Sequence, residues 1–250
     1  MKTVFALAAI AVSGSISSAA VVTQWNFNSV INDGLTSTGT TLPFVGSGTA
    51  SLVGGVTSPS FNAGGTTGIA PASSSDTNTT DNSGWQTTNY PAQGAGNKTA
   101  GVQFAVNTTN YEDIIITFDV RHSNTSANTL RLQYSTDGGL NFIDANQYTF
   151  TPAATGTGDS WYNRSADLSA IPGVENNANF VFRVVTEFAP SSSGYLAARS
   201  TSTYGGGPTG STLRWDMVTI NGTLVPTPGS IALTGIAGLL VARRRRAQVS

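Results

Sequence analysis

Apolar and polar positions alternate with a period of two through much of the chain. In TLRLQYS (residues 129–135), Leu130, Leu132 and Tyr134 interleave with Arg131 and Gln133. That is the pattern of a half-buried strand, since successive side chains point to opposite faces. The same period runs through residues 22–27 (Trp25, Phe27), 100–106 (Val102, Phe104, Val106) and 213–221 (Leu213, Trp215, Met217). DIIITFDVR (113–121) and FVFRVVTEF (180–188) are more continuously apolar, as central strands covered on both faces are. No window outside the termini keeps a 3.6-residue period free of glycine. The one helix candidate is short, residues 167–171, and Pro172-Gly173 stops it.

Turn-rich segments separate these runs, and at least eight strands fit within residues 21–224. Many strands with almost no helix predict an all-β fold. The expectation is an antiparallel β-sandwich, jelly-roll-like, with long irregular loops. Residues 54–101 stand apart: they are rich in Ser, Thr, Asn and Gly, with Trp85 and Tyr90 conspicuous among them. Such composition buries little against chain entropy, yet the two aromatics and Pro91 argue for partial order. Residues 190–210, with Tyr195 and Tyr204, form a second long loop.

Both ends depart from this pattern. Residues 1–20 read as Lys2, an apolar run and then small residues ending in Ser18 and Ala20. This is the three-part plan of a secretory signal peptide, with cleavage expected near Ala20. At the other end, Pro226 and Pro228 precede an uncharged run over residues 231–242, and Arg243, Arg244, Arg245 and Arg246 close it. The run is of marginal length for a membrane span, which needs roughly 20 apolar residues. Positive residues stay on the cytoplasmic side, so an exported body with an internal arginine cluster is the expected topology.

Val225, Pro226, Thr227, Pro228 and Gly229, the apolar run and the four arginines together resemble the PEP-CTERM sorting signal of Gram-negative bacteria. The family motif is Pro-Glu-Pro, and this chain carries Thr227 in the middle position. The resemblance covers residues 225–250. It implies transient inner-membrane insertion, an exosortase-type processing enzyme as partner, and release to the cell surface or extracellular matrix, with the span removed from the mature chain as in other cleaved tails.

Charge and chemistry narrow the body's role. Of twelve Lys and Arg, Lys2 and the four terminal arginines lie outside residues 21–224, which leaves seven against thirteen acidic residues, near −6. Such a balance gives no reason to expect nucleic acid. There is no cysteine, hence no disulfide or thiolate metal site. His122 is the sole histidine, which is too few for zinc and lies in no serine-nucleophile context. Asp119 and Glu187 lie within apolar strands, where pairing with an arginine such as Arg121 or Arg183 is the ordinary role. No nucleophile–base pair emerges, and the chain reads as noncatalytic.

Ser135-Thr-Asp137-Gly-Gly-Leu-Asn141-Phe142 resembles an Asp box, the hairpin of sialidases and other propellers, in which the aspartate ties the turn. It occurs once, so no propeller is expected. Asp76, Asn78 and Asp81 are a candidate calcium loop, because calcium takes oxygen ligands. Trp85, Tyr90, Trp161, Tyr162 and Tyr195 are candidate sugar-stacking rings for extracellular polysaccharide. Their exposure is the discriminator: outward rings favour sugar binding, and buried rings favour a structural or adhesive protein-binding role.

Overall fold

The computed structural model describes residues 19–65, 72–149 and 159–225. Eleven strands run in chain order: β1 (Ala19–Trp25), β2 (Gly48–Val53), β3 (Thr57–Ala63), β4 (Ser83–Thr88), β5 (Gly101–Val106), β6 (Tyr111–His122), β7 (Thr129–Ser135), β8 (Ile143–Thr149), β9 (Ser160–Asp167), β10 (Phe180–Thr186) and β11 (Leu213–Leu224). Among the described residues there is no helix. The 167–171 candidate is instead a run of turns. The Asp167 carboxylate accepts hydrogen bonds from both the amide and the hydroxyl of Ser169, so the chain closes locally rather than continuing a helix.

The strands make two antiparallel sheets. One has the order β3-β4-β11-β6-β9, with β1 also pairing β11; the other has the order β2-β5-β10-β7-β8. This is the expected sandwich, jelly-roll-like in that both sheets interleave strands distant in sequence. Its core is aromatic: Trp25 lies 5.0 Å from Phe104, which stacks on Phe182 at 5.1 Å, and Phe118 meets Trp215 across 5.9 Å. Burying each such ring contributes on the order of 2–3 kcal/mol.

The stretch over residues 54–101 is more regular than its composition suggests. It carries β3 and β4, which pair with each other, Phe61 opposite Trp85. Trp85 stacks on Phe27 at 5.4 Å, so one ring anchors a strand otherwise made of small and polar residues. β3 lies at the sheet edge, where Pro59 costs no ladder bond.

At the N-terminus, the strand begins before the expected boundary. Ala19 and Ala20 pair with Thr223 and Gly222, so a cut after Ala20 removes two exposed residues from the start of β1. At the other end, the Val225 amide donates to the Asn110 carbonyl at 2.9 Å. Pro226, Thr227, Pro228, Gly229 and the four arginines lie outside the described residues.

Candidate functional site

β1 ends in an alternation that splits its side chains between core and surface. Phe27 is fully buried, while Asn26 and Asn28 on either side of it face a surface cleft of about 420 Å³. Gln24, Asn32, Asn78 and Asp81 also line it, and Phe44 forms part of the wall. A second hollow of about 210 Å³ shares Asn26, Asn28 and Phe44 and adds Leu42 and Pro43. Phe44 is 69% exposed and Leu42 63%, whereas almost every other aromatic ring of the body is buried or half-buried.

The cleft combines fixed amides with unspent ones. Asn28 donates to Asp76 Oδ2 at 2.7 Å and accepts from the Ser83 amide at 2.8 Å, so its orientation is set by two partners. Asn32 donates to Thr80 Oγ1 and accepts from the Gly34 amide. Gln24 donates to Thr219 Oγ1, and Asn26 uses its oxygen, on the Asn28 amide. Phe27 has φ of 54° and Met217, also on the cleft, has φ of 47°. Bulky side chains rarely adopt that left-handed backbone. Strain of this kind collects where a site has been shaped.

Of the candidate stacking residues, four are corrected. Trp85 (4% exposed), Tyr90 (2%), Trp161 (2%) and Tyr195 (1%) are buried, so no ring face is offered to a ligand. Each has a structural partner instead. Tyr90 shares a 2.6 Å hydrogen bond with Thr87, whose hydroxyl also accepts from the Trp215 indole. Burial pushes the Tyr90 hydroxyl far up from its ordinary pKa. Trp161 lies against Gly84 and the Arg214 stem, a fit that a Cβ at residue 84 would obstruct. Tyr195 donates to the Ala95 and Gly96 carbonyls and stacks on Tyr204 at 4.6 Å, which pins the 190–210 loop to the 89–100 loop. Tyr162 alone is half-buried.

The candidate calcium loop forms part of the cleft, but most of its oxygens are occupied. Asp76 Oδ1 accepts from the Asn78 amide and Oδ2 from Asn28; Asn78 Oδ1 accepts from the amides of Thr80 and Asp81. These are Asx turns that close the loop on itself. Asp81 Oδ2 is the exception, buried and without a hydrogen-bond partner. Burial raises the Asp81 carboxyl, and the Asp33 charge adds to that, while amides at Ser29 and Asp33 oppose it. Among the described residues, no group of three or more His, Asp or Glu side chains gathers that could hold a metal ion.

The remaining groups singled out by sequence have structural settings. His122 is 1% exposed, with Nδ1 3.0 Å from the Ala127 carbonyl, and burial lowers its pKa to about 3. A ring so enclosed cannot meet a substrate. Glu187 does pair with an arginine, but with Arg131, bidentately at 3.0 and 2.9 Å, rather than Arg183. Asp119 pairs with no arginine among the described residues; it accepts from Ser75 and from Asn163. The Asp-box aspartate ties its turn: Asp137 accepts from the Ser135 hydroxyl and from the Asn141 amide and side chain. Those bonds lower its pKa to about 2, with the Ser135 bond the largest cause.

No family model matches the chain, and no curated protein does. Solved structures are similar to it at low identity and low TM-score. The carbohydrate-binding module TmCBM27, described for specific mannan recognition, is similar at 11% identity and a TM-score of 0.40, over 82% of this chain and 98% of that one. The xylanase 10B modules CBM22-1–GH10 of Clostridium thermocellum match at 16% identity and a TM-score of 0.35, over 59% of this chain; the chain spans only 22% of that protein's length. The K1 cleaved adhesin domain of Lys-gingipain from Porphyromonas gingivalis W83 matches at 14% identity and a TM-score of 0.35, over 70% of this chain and 98% of that one.

Proposed function

We propose that this chain is an exported, noncatalytic surface or extracellular-matrix protein that binds polysaccharide through the cleft beside β1. The observation that supports this reading is the cleft itself. It places an exposed ring, Phe44, beside oriented amides from Asn26, Asn28 and Asn32, and it has room for a few sugar rings. A flat apolar face with a polar rim suits a pyranose, whose C–H face packs on a ring while its hydroxyls meet amides. Export and processing belong to the same proposal: residues 1–20 direct secretion, and an exosortase-type enzyme acts at Pro226, Thr227 and Pro228 after transient membrane insertion.

The test is retention of the purified chain on the host's extracellular polysaccharide, comparing Phe44→Ala and Asn26→Ala with the unaltered protein. Retention that drops about tenfold in either variant, at unchanged melting temperature, is the expected result, a loss of about 1.4 kcal/mol. Retention unaffected by both substitutions overturns the cleft as the site.

A second reading, a structural or adhesive protein that packs on other proteins, is favoured by the burial of Trp85 and Trp161 and by the exposure of Val30 (76%) and Ile31 (83%) beside the cleft. Absence of retention on any polysaccharide, with capture by a purified surface protein of the same host, would select it.

A further inference from the structure

A row of polar side chains crosses the second sheet on the face turned away from the core. Strand pairing places Ser51 of β2 beside Gln103 of β5, Gln103 beside Arg183 of β10, Arg183 beside Gln133 of β7, and Gln133 beside Asp144 of β8. Their chain neighbours Leu52, Phe104, Phe182 and Leu132 pack into the core, so alternation turns the row outward. Arg183 is held on two sides. Its guanidinium carbon lies 3.8 Å from the Phe142 ring centroid, and its Nε donates to Gln133 Oε1 at 2.6 Å. Gln133 in turn donates to Asp144 Oδ1 at 2.7 Å, while Lys98 occupies Asp144 Oδ2. Phe142 is the aromatic of the Asp-box hairpin, so the turn that Asp137 ties supplies the platform under the guanidinium.

The outer end of the Arg183 fork is unspent. The residue is half-buried, and Nη1 and Nη2, which have no hydrogen-bond partner among the described residues, reach solvent. The ion pairs of the described residues use Lys98, Arg121 and Arg131, not Arg183. Gln103 is half-buried on the neighbouring strand, with no side-chain hydrogen bond among the described residues, and Ser51 beyond it is exposed. The row lies toward the Asp-box end of β7 and β8; β8 ends at Thr149, paired with Thr129 at the opposite end of β7. Lys98, Arg131 and Arg183 share this face with two carboxylates, Asp144 and Glu187, which makes it locally cationic on a body near −6. Burial pulls the Arg183 pKa down, and the Asp144 charge opposes this.

The two terminal nitrogens of a guanidinium form a planar fork that takes a carboxylate through two parallel bonds. The Phe142 stack and the Gln133 bond fix that fork before a ligand arrives, so little further freedom is lost on binding. Directly opposed side chains on adjacent strands stand about 5 Å apart at Cβ, which sets an amide next to the fork, where it can meet a hydroxyl beside the acid. Neighbouring strands repeat every ~4.8 Å, so an extended chain lying across Ser51, Gln103 and Arg183 meets one polar group per strand. A carboxylate flanked by hydroxyls is the chemistry of a uronic acid rather than of an acidic peptide. We propose that Arg183, with Gln103 beside it, receives the carboxylate of an acidic sugar residue in a polysaccharide lying across the outer face of the second sheet. This rests on the polysaccharide reading above but uses the other sheet, not the cleft beside β1. Because the body is net negative, the attraction is local, and long-range steering contributes nothing to it.

The experiment compares three probes on the purified full-length chain: polygalacturonate, its fully methyl-esterified form and poly-glutamate. The ester keeps the ring and removes the charge. The expected result is tighter binding of polygalacturonate than of the ester by about tenfold, abolished in Arg183→Gln and largely lost in Arg183→Lys, which keeps the charge but not the fork. Gln103→Ala, which leaves Arg183 and its supports in place, is expected to weaken polygalacturonate by several-fold and covers the case in which Arg183→Gln fails to fold. Equal binding of acid and ester by the unaltered chain, an unchanged preference for the acid in a folded Arg183→Gln, polygalacturonate binding unaffected by Gln103→Ala, or poly-glutamate bound as tightly as polygalacturonate overturns the proposal. Phe44→Ala separates it from the cleft. Ester binding lost in that variant with the acid preference intact supports two sites, and ester binding unchanged with the preference intact sinks the cleft alone.

Discussion

Asp119 and Asp216 face each other across β6 and β11, and successive serines of one loop reach them: Ser74 Oγ donates to Asp216 Oδ2, and Ser75 donates its amide and hydroxyl to Asp119 Oδ2, each at 2.5 Å. Two buried carboxylates on a sheet face would be costly alone. Here they staple down the loop that carries Asp76, Asn78 and Asp81, and so they hold one wall of the cleft.

Removing the staple is therefore expected to act on stability and binding together. Ser74→Ala with Ser75→Ala removes one hydroxyl donor from each carboxyl; the residue-75 amide and Asn163 still serve Asp119, while Asp216 Oδ2 loses its serine donor, at a cost of about 1–3 kcal/mol for that unsatisfied group. Urea melts should show that loss. Polysaccharide retention should fall as well, because Asp76 no longer fixes Asn28. Full retention at reduced stability would mean that the wall does not depend on the staple.

The pH dependence of stability follows from Asp216. Burial raises its carboxyl well above the usual carboxylate range, and the charges of Asp76 and Asp119 add to this; Ser74 and the Met217 amide oppose it. The folded state thus keeps a proton that the unfolded chain releases above about pH 4. The contribution is fully present below that pH and declines as pH rises through the folded pKa. His122 has the opposite sense: with its pKa lowered to about 3, folding loses stability as pH falls below about 6.5. Asp216→Asn removes the first slope only. Its melting temperature is expected to exceed that of the unaltered protein at pH 8 and to lose the advantage toward pH 5. Parallel profiles for the two proteins would show that Asp216 does not titrate differently on folding.

Trp85 and Phe44 should separate stability from function. Trp85→Ala removes the ring stacked on Phe27 and is expected to cost about 3–5 kcal/mol. Phe44→Ala removes a ring that is 69% exposed and is expected to change stability by no more than about 0.5 kcal/mol. Chemical denaturation of both variants checks this. A large loss in Phe44→Ala would make the cleft wall a packing element.

The strands that the sequence announced are those whose alternation is internally complete. TLRLQYS matches β7 residue for residue, and the Asp box folds as its residues imply because its bonds are all local. β4 was not legible. SGWQTT has one large apolar residue, and its burial comes from β3, from Arg214 and from the Thr87–Trp215 contact, which are distant in sequence. The same limit governs the site. Nothing local to Trp85 or Phe44 tells which ring a distant loop will cover, so composition pointed to Trp85 while the exposed ring is Phe44. The readable hint was Asn26-Phe27-Asn28, a polar–apolar–polar triplet at a strand end.

Calcium should have little effect on the resting protein. It takes about 6–8 oxygen ligands, and Asp76 Oδ1 and the Asn78 amide oxygen already serve the loop's own turns while Asp76 Oδ2 accepts from Asn28. Millimolar calcium or a chelator is expected to shift the melting temperature by less than about 1 °C. A ligand at 100 times its Kd stabilises by about 2.7 kcal/mol, several degrees for a domain of this size. A saturable rise of that kind, abolished by Asp81→Asn, would place a cation on the free Asp81 oxygen. Without calcium, Asp81→Asn is expected to be at least as stable as the unaltered protein at pH 7, since it removes the charge of a buried carboxylate whose Oδ2 has no hydrogen-bond partner.

Processing of the tail has a mass signature. The Val225 amide is bonded to Asn110, so the folded body holds the chain up to the edge of the Pro226-Thr227-Pro228 motif. The surface-released protein is expected to lack residues 1–20 and to end near Pro226, without Arg243, Arg244, Arg245 and Arg246. Intact mass spectrometry of released material reads both ends at once. Retention of the four arginines on released protein would show that Thr227 blocks cleavage. Their retention only in the membrane fraction, with truncated protein outside, would identify the tail as the handle that the processing enzyme removes.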